Sequence, residues 1–223
     1  MADWHELVER ARTRYADGEA RLPDDPDARQ RQLTRMGNAA YAAALAGLMR
    51  RDEEGAAGWF ATAAERYRES FPDAPPGSWG RPIGALKARL LAGDWGAAVV
   101  EARWALDAGA AGADSRIGRY AAALALLVLG KDAEARVQAD AIRMRDDFPG
   151  DVADALAMIA AGTDRVGYTV AVESVLDSFE VRAEYLEDVP VADTVLVLQA
   201  LAAKRDLAIE LQSPLLPPDD GPT

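Results

Sequence analysis

The chain has 223 residues and a formal charge of −12, from 25 Lys and Arg against 37 Asp and Glu. Half of it is apolar, enough to build a core, and this excludes global disorder. It has no cysteine and one histidine, His5, which rules out disulfides, thiolate metal sites, cysteine nucleophiles, histidine triads and multi-histidine metal sites.

Alanine supplies 48 residues, and arginine outnumbers lysine 22 to 3. Alanine loses no side-chain entropy on entering a helix, so this composition predicts an all-α chain. The acidic total argues against a general nucleic-acid or anionic-membrane binder, because phosphate contacts need positive patches. The start, Met1-Ala-Asp-Trp-His-Glu6, carries charge where a secretory segment would be apolar. The most apolar run, 120–130, is eleven residues, against the ~20 that a bilayer crossing needs. A cytoplasmic protein without membrane partner, nucleic acid or cofactor is expected.

In chain order, the 3.6-residue period predicts a first helix over 2–21, ended by Leu22-Pro-Asp-Asp-Pro26. A second is predicted over 27–50 and a third over 54–70, stopped by the proline-rich stretch 71–77. Ser78 is the expected N-cap of the next helix, with Pro82 near its first turn. From there the pattern repeats. Ala85-Leu-Lys-Ala-Arg-Leu-Leu-Ala-Gly-Asp-Trp-Gly-Ala-Ala98 reads as helix, Gly-Asp turn and helix, and 121–135 is a second copy. An imperfect earlier copy spans 45–57. The turn aspartates Asp52, Asp94 and Asp132 lie 42 and 38 residues apart, a period of helix-pair repeats. Further helices are predicted over 151–161, 167–186 and 190–205, with 206–212 short or extended. Ser213-Pro-Leu-Leu-Pro-Pro218 cannot be helix interior. Leu215 and Leu216 are expected to dock on the body, and 219–223 to fray.

The Leu-x-x-Gly-Asp/Lys-x-x-x-Ala turn between two helices resembles the tetratricopeptide-like helical-repeat superfamily over residues 28–147. That resemblance implies a right-handed solenoid of antiparallel helix pairs, acting by protein–protein interaction rather than catalysis. The expected organisation is one domain over 1–218, with a repeat-like core at 28–147, a C-terminal helical part at 148–218 and a short proline-rich tail. The stretch from Leu201 to Pro217 is faintly similar to the C-terminal signature of a family of polymorphic-toxin immunity proteins. This implies an alternative role, neutralising a cognate toxin by surface occlusion.

The sequence shows no phosphate-binding loop and no nucleophile motif, while a catalytic carboxylate pair depends on tertiary separation that sequence does not give. Gly93, Gly96 and Gly130 fall in helix turns, not after strands, so phosphate-loop readings have no context. None of the six serines sits in a Gly-x-Ser-x-Gly elbow. Carboxylate pairs such as Glu65/Glu69, Glu180/Glu184 and Glu184/Glu187 read as solvated helix faces, with Glu65/Arg68 an expected i,i+3 pair. Trp59, Phe60, Tyr67, Trp79, Trp95 and Trp104 read as inter-helix packing.

Charge is unevenly placed. Segments 28–51, 74–93 and 115–131 contain no Asp or Glu and eleven basic residues, which leaves a balance of −23 on the remainder. These segments hold the first helix of each repeat, the helices that line the partner groove in the resembling superfamily. The resemblance therefore implies a partner site of Arg31, Arg35, Asn38, Tyr41, Arg81, Arg89, Arg116, Arg119 and Tyr120, taking an acidic peptide. Arg35-Met-Gly-Asn-Ala-Ala-Tyr41 also resembles the opening of repeats that clamp a peptide's terminal carboxylate. Burial alone also sheds acids from a helix, which gives the charge pattern a second physical origin.

Overall fold

A computed structural model describes residues 2–144 and 148–218. Among them there are ten α-helices and no strand: α1 (Trp4–Ala20), α2 (Pro26–Met49), α3 (Glu53–Ser70), α4 (Gly80–Leu91), α5 (Trp95–Asp107), α6 (Arg116–Val128), α7 (Asp132–Arg143), α8 (Gly150–Ala161), α9 (Arg165–Glu180) and α10 (Asp193–Ala203). No helix of the described residues is long and apolar enough to cross a membrane. The expected tail 219–223 lies outside the described residues.

The helix boundaries follow from cap chemistry. Asp3, Asp25, Asp52, Asp94, Ser115 and Asp164 each accept a backbone N–H in the first turn of the helix that follows. Three helix ends close in the same way. Asp52 N–H bonds to the Gly47 carbonyl, Asp94 to Arg89 and Lys131 to Leu126, each at 2.9–3.0 Å, across a left-handed residue. That residue is Gly93 or Gly130 at two of the turns and Arg51 at the first, with φ 60°. The third turn has one residue more before its aspartate. Asp132 is therefore inside α7 and caps nothing; it accepts from Arg205, which also donates to the Leu127 carbonyl at 2.8 Å.

Ser78 is not the cap of α4. Its hydroxyl turns back to the Pro75 carbonyl, and Trp79 precedes α4 without a side-chain cap. The helix expected to reach residue 186 stops at Glu180, and the one expected from 190 starts at Asp193. Tertiary burial overrides local propensity here. Val189 and Val191 are buried among side chains of α1–α3, and Glu187 and Asp188 both take left-handed φ (53° and 61°) to deliver them. Glu65 and Arg68 do not pair with each other; Arg68 bonds Glu101 at 2.9 Å and Glu65 approaches Arg89 at 3.9 Å.

Helices α1 to α9 pack successively, each on the next, and α4 also touches α6, as α6 touches α8. The α10 helix lies on α4, α8 and α9. Two large apolar clusters result, one built on α1–α3 and one on α4–α10. The stretch from Val189 to Leu216 ties them together: Val189 and Val191 enter the first, and Leu198, Leu201 and Leu216 enter the second. Leu216 is buried as expected, and the Leu215 carbonyl accepts from Ala192 N–H at 2.9 Å.

Candidate functional site

Two helix stripes meet on the face where the C-terminal segment lies. On α2, Thr34, Asn38 and Tyr41 recur at i, i+4 and i+7. On α4, Gly80, Gly84 and Lys87 do the same. With no side chain at Gly80, the helices leave a cavity of about 280 Å³, lined also by Tyr67, Arg81, Ile83, Leu186 and Asp193. Tyr67 comes from α3, behind α2 and α4. A Cβ on Gly37 would stand 2.9 Å from its ring, and one on Gly84 would stand 2.7 Å away. These two glycines let the ring pass between the helices, and its hydroxyl donates to Asn38 Oδ1 at 2.9 Å.

Polar contacts in the cavity divide into a closed set and an open one. Asp193 accepts from Tyr41 Oη at 3.0 Å and from Lys87 Nζ, and Lys87 also donates to Thr194 Oγ1 at 3.1 Å. Burial, reinforced by the Asp193 charge, pushes the Tyr41, Tyr67 and Tyr120 phenols well above their ordinary range, so all three are neutral. Arg81 is different. Its half-buried guanidinium donates to Ser70 Oγ at 3.0 Å and to Gln30 Oε1, both neutral oxygens, and no carboxylate pairs with it among the described residues. Burial pulls its pKa below the ordinary arginine value, the mark of a cation without a counter-charge.

The nine residues expected at a partner site fall into four groups. Asn38, Tyr41 and Arg81 share the cavity just described. Arg116 and Tyr120 line a neighbouring cavity of about 340 Å³. Arg31 pairs with Asp27, and Arg35 faces α1, lining a third cavity with Arg14, Asp17, Arg21 and Glu187. Arg89 and Arg119 turn elsewhere: Arg89 lies near Glu65 of α3 and Glu101 of α5, and Arg119 bonds Gln138 of α7. Helix rotation explains the scatter. At 100° per residue, Arg35 and Tyr41 stand ~120° apart around α2, and Lys87 and Arg89 ~160° apart around α4.

Sequence reasoning did not single out Lys87, Asp193, Thr34 or the role of Tyr67. The signal that could have found Lys87 is local: a helix with glycines at i and i+4 and a lysine at i+7 presents a stripe of small residues ending in a cation. Asp193 carries no such signal, since its contact with Lys87 spans 106 residues.

Another cavity, about 600 Å³, lies at the α2–α3 and α4–α5 turns against the C-terminal segment. Its polar lining includes Arg51 with Glu53 and Glu210, and the amide of Gln199, which is engaged by Tyr168 and the Ile209 backbone. Its charged lining, one cation against two carboxylates, is net negative and does not suit an anion. Among the described residues no three His, Cys, Asp or Glu side chains are placed to hold a metal ion. The chain matches no family model, no curated protein and no solved structure.

Proposed function

We propose that this is a non-enzymatic, tetratricopeptide-like helical-repeat protein that binds a protein partner through an acidic side chain or chain end received in the α2–α4 cavity. The observation that carries this reading is Arg81, a half-buried guanidinium with only neutral oxygens beside it, opening on a cavity of side-chain size. A planar guanidinium pairs a carboxylate bidentately, and incomplete hydration there strengthens the pairing. Thr34, Asn38 and the Tyr67 hydroxyl supply neutral polar groups around it, and Lys87 is already neutralised by Asp193. The site therefore has one uncompensated positive charge and accepts one anion.

An array of immobilised heptapeptides tests this, each with a fixed central aspartate, the other positions varied, and a matched asparagine set. The wild-type chain retains a subset of the aspartate peptides and releases their asparagine counterparts. Thr34→Glu, which brings a carboxylate to the cavity at a helix-compatible surface position, abolishes retention. Equal retention of the two sets overturns the reading.

A second reading, neutralisation of a basic toxin, is favoured by charge and exposure at the other end of the chain. Residues 148–218 contain twelve acidic and four basic side chains. On α9, Val166 and Val170 are 75% and 64% exposed, on a face that also carries Glu173 and Asp177. Apolar groups ringed by carboxylates suit a cationic protein surface. Val170→Lys with Asp177→Lys separates the two readings: it releases a partner bound on α9 and leaves aspartate-peptide retention unchanged.

A further inference from the structure

The cavity next to the Arg81 site is lined mainly by large apolar side chains, and the two share a wall. Ile83 lines both. Beyond it, Ile117, Tyr120, Phe148, Val152 and Phe179 line a space of about 340 Å³. Tyr120 and Phe148 rings lie 5.4 Å apart at 49°, and Ile117 is 37% exposed at the mouth. The Arg182 guanidinium lies 3.6 Å from the Phe179 ring centre, held over its face at the rim. Arg116 also lines this cavity. An apolar, side-chain-sized pocket with cations at its edge fits a large apolar side chain carried on an acidic segment.

We infer that the partner segment is bipartite: a carboxylate enters the Arg81 cavity while a phenylalanine- or leucine-sized side chain, one to four residues away, enters the Ile83–Ile117–Tyr120 cavity. The inference rests on the carboxylate reading and deepens it by naming the second half of the motif. Ile83 borders both cavities, so the two groups come from one short stretch of partner. The wall on the C-terminal side is Asp193 and Thr194, consecutive residues that border one cavity each. They are held in place, since Asp193 is bonded by Tyr41 and Lys87 and the adjoining Val191 and Ala192 are buried. That wall of both cavities is therefore held before any partner arrives, which lowers the ordering cost of binding.

The experiment is an NMR titration of the full 15N-labelled chain with nonapeptides of glycine and serine carrying one aspartate and one phenylalanine, one to four residues apart. One spacing binds best, and replacing its phenylalanine by alanine weakens binding by about tenfold, as loss of one buried aromatic side chain does. Ile117→Gln, at a partly exposed first-turn position that tolerates a polar residue, weakens the phenylalanine peptide similarly and makes it indifferent to the Phe-to-Ala change. If aspartate is required and phenylalanine contributes nothing at any spacing, the bipartite motif is overturned and the carboxylate reading stands. If aspartate and asparagine peptides bind alike, both fall.

Discussion

Tyr67 of α3 reaches between α2 and α4 to place its hydroxyl 2.9 Å from Asn38 Oδ1, and its ring fills the space that side chains at Gly37 and Gly84 would occupy. A residue of the outer helix thereby helps form the lining of the cavity on the other side. Gly84→Ala forces a methyl to 2.7 Å from the ring, which costs ~1–3 kcal/mol as core overpacking does. Gly58→Ala on α3 meets nothing within 4 Å and gains up to ~1 kcal/mol from helix propensity. Urea denaturation of the two variants checks both signs, and Tyr67→Leu should relieve most of the Gly84→Ala penalty.

The turn aspartates separate by the same kind of measurement. Asp94→Ala removes the bond to Ala97 N–H and costs ~1 kcal/mol, the usual worth of an N-cap. Asp132→Ala removes no cap. It leaves Arg205, whose side chain is 11% exposed, without its carboxylate, and the loss is larger, ~2 kcal/mol or more, because a mostly buried charge is stranded. Arg205→Met in the Asp132→Ala background recovers part of it.

Glu101 predicts a pH dependence. It is 4% exposed, and burial raises its pKa even though Arg68 and Arg89 pull the other way. A carboxyl whose folded pKa lies above the unfolded value favours folding most below that unfolded value, ~4.3, and loses the contribution as pH rises through the folded value. Wild type therefore loses stability relative to Glu101→Gln as pH rises above the unfolded value of ~4.3. Thermal melts of both chains across that range read the difference. A gap that widens in wild type's favour as pH rises would contradict the sign.

Lys87 and Asp193 form a pair with side chains 11% and 18% exposed. Lys87→Met or Asp193→Asn alone costs ~3 kcal/mol, since each strands the other's charge or hydrogen bonds. The double variant costs less than the sum, and the shortfall in a double-mutant cycle measures their coupling.

Most of the helical order was legible along the chain because breakers and caps are local: Leu22 to Pro26, the 71–77 loop, and the aspartates at 52 and 94 each act within a few residues. The stretch 181–192 was not. Val181 to Glu187 contains good helix formers, and what unwinds it is the burial of Val189 and Val191 against helices more than 100 residues away. Asp132 misled for a smaller reason, a single inserted lysine that moves it from the cap into the helix. The charge pattern picks out α2, α4 and α6, but not which of their faces line the cavities. Acid-free segments are those that supply much of the core, such as Ala39 to Ala46 and Tyr120 to Leu127, and which arginines converge depends on helix rotation and on partners such as Glu101 and Gln138.

Arg81 is the proposed receiver of a partner's carboxylate. Calorimetric titration of wild type and Arg81→Gln with the best aspartate peptide and its asparagine twin tests it as a four-way cycle, with a thermal melt confirming that the variant is folded. Aspartate should be preferred at least tenfold by wild type, a gap typical of a charge-assisted pair, and not at all by Arg81→Gln. A preference that survives in the folded variant contradicts the claim.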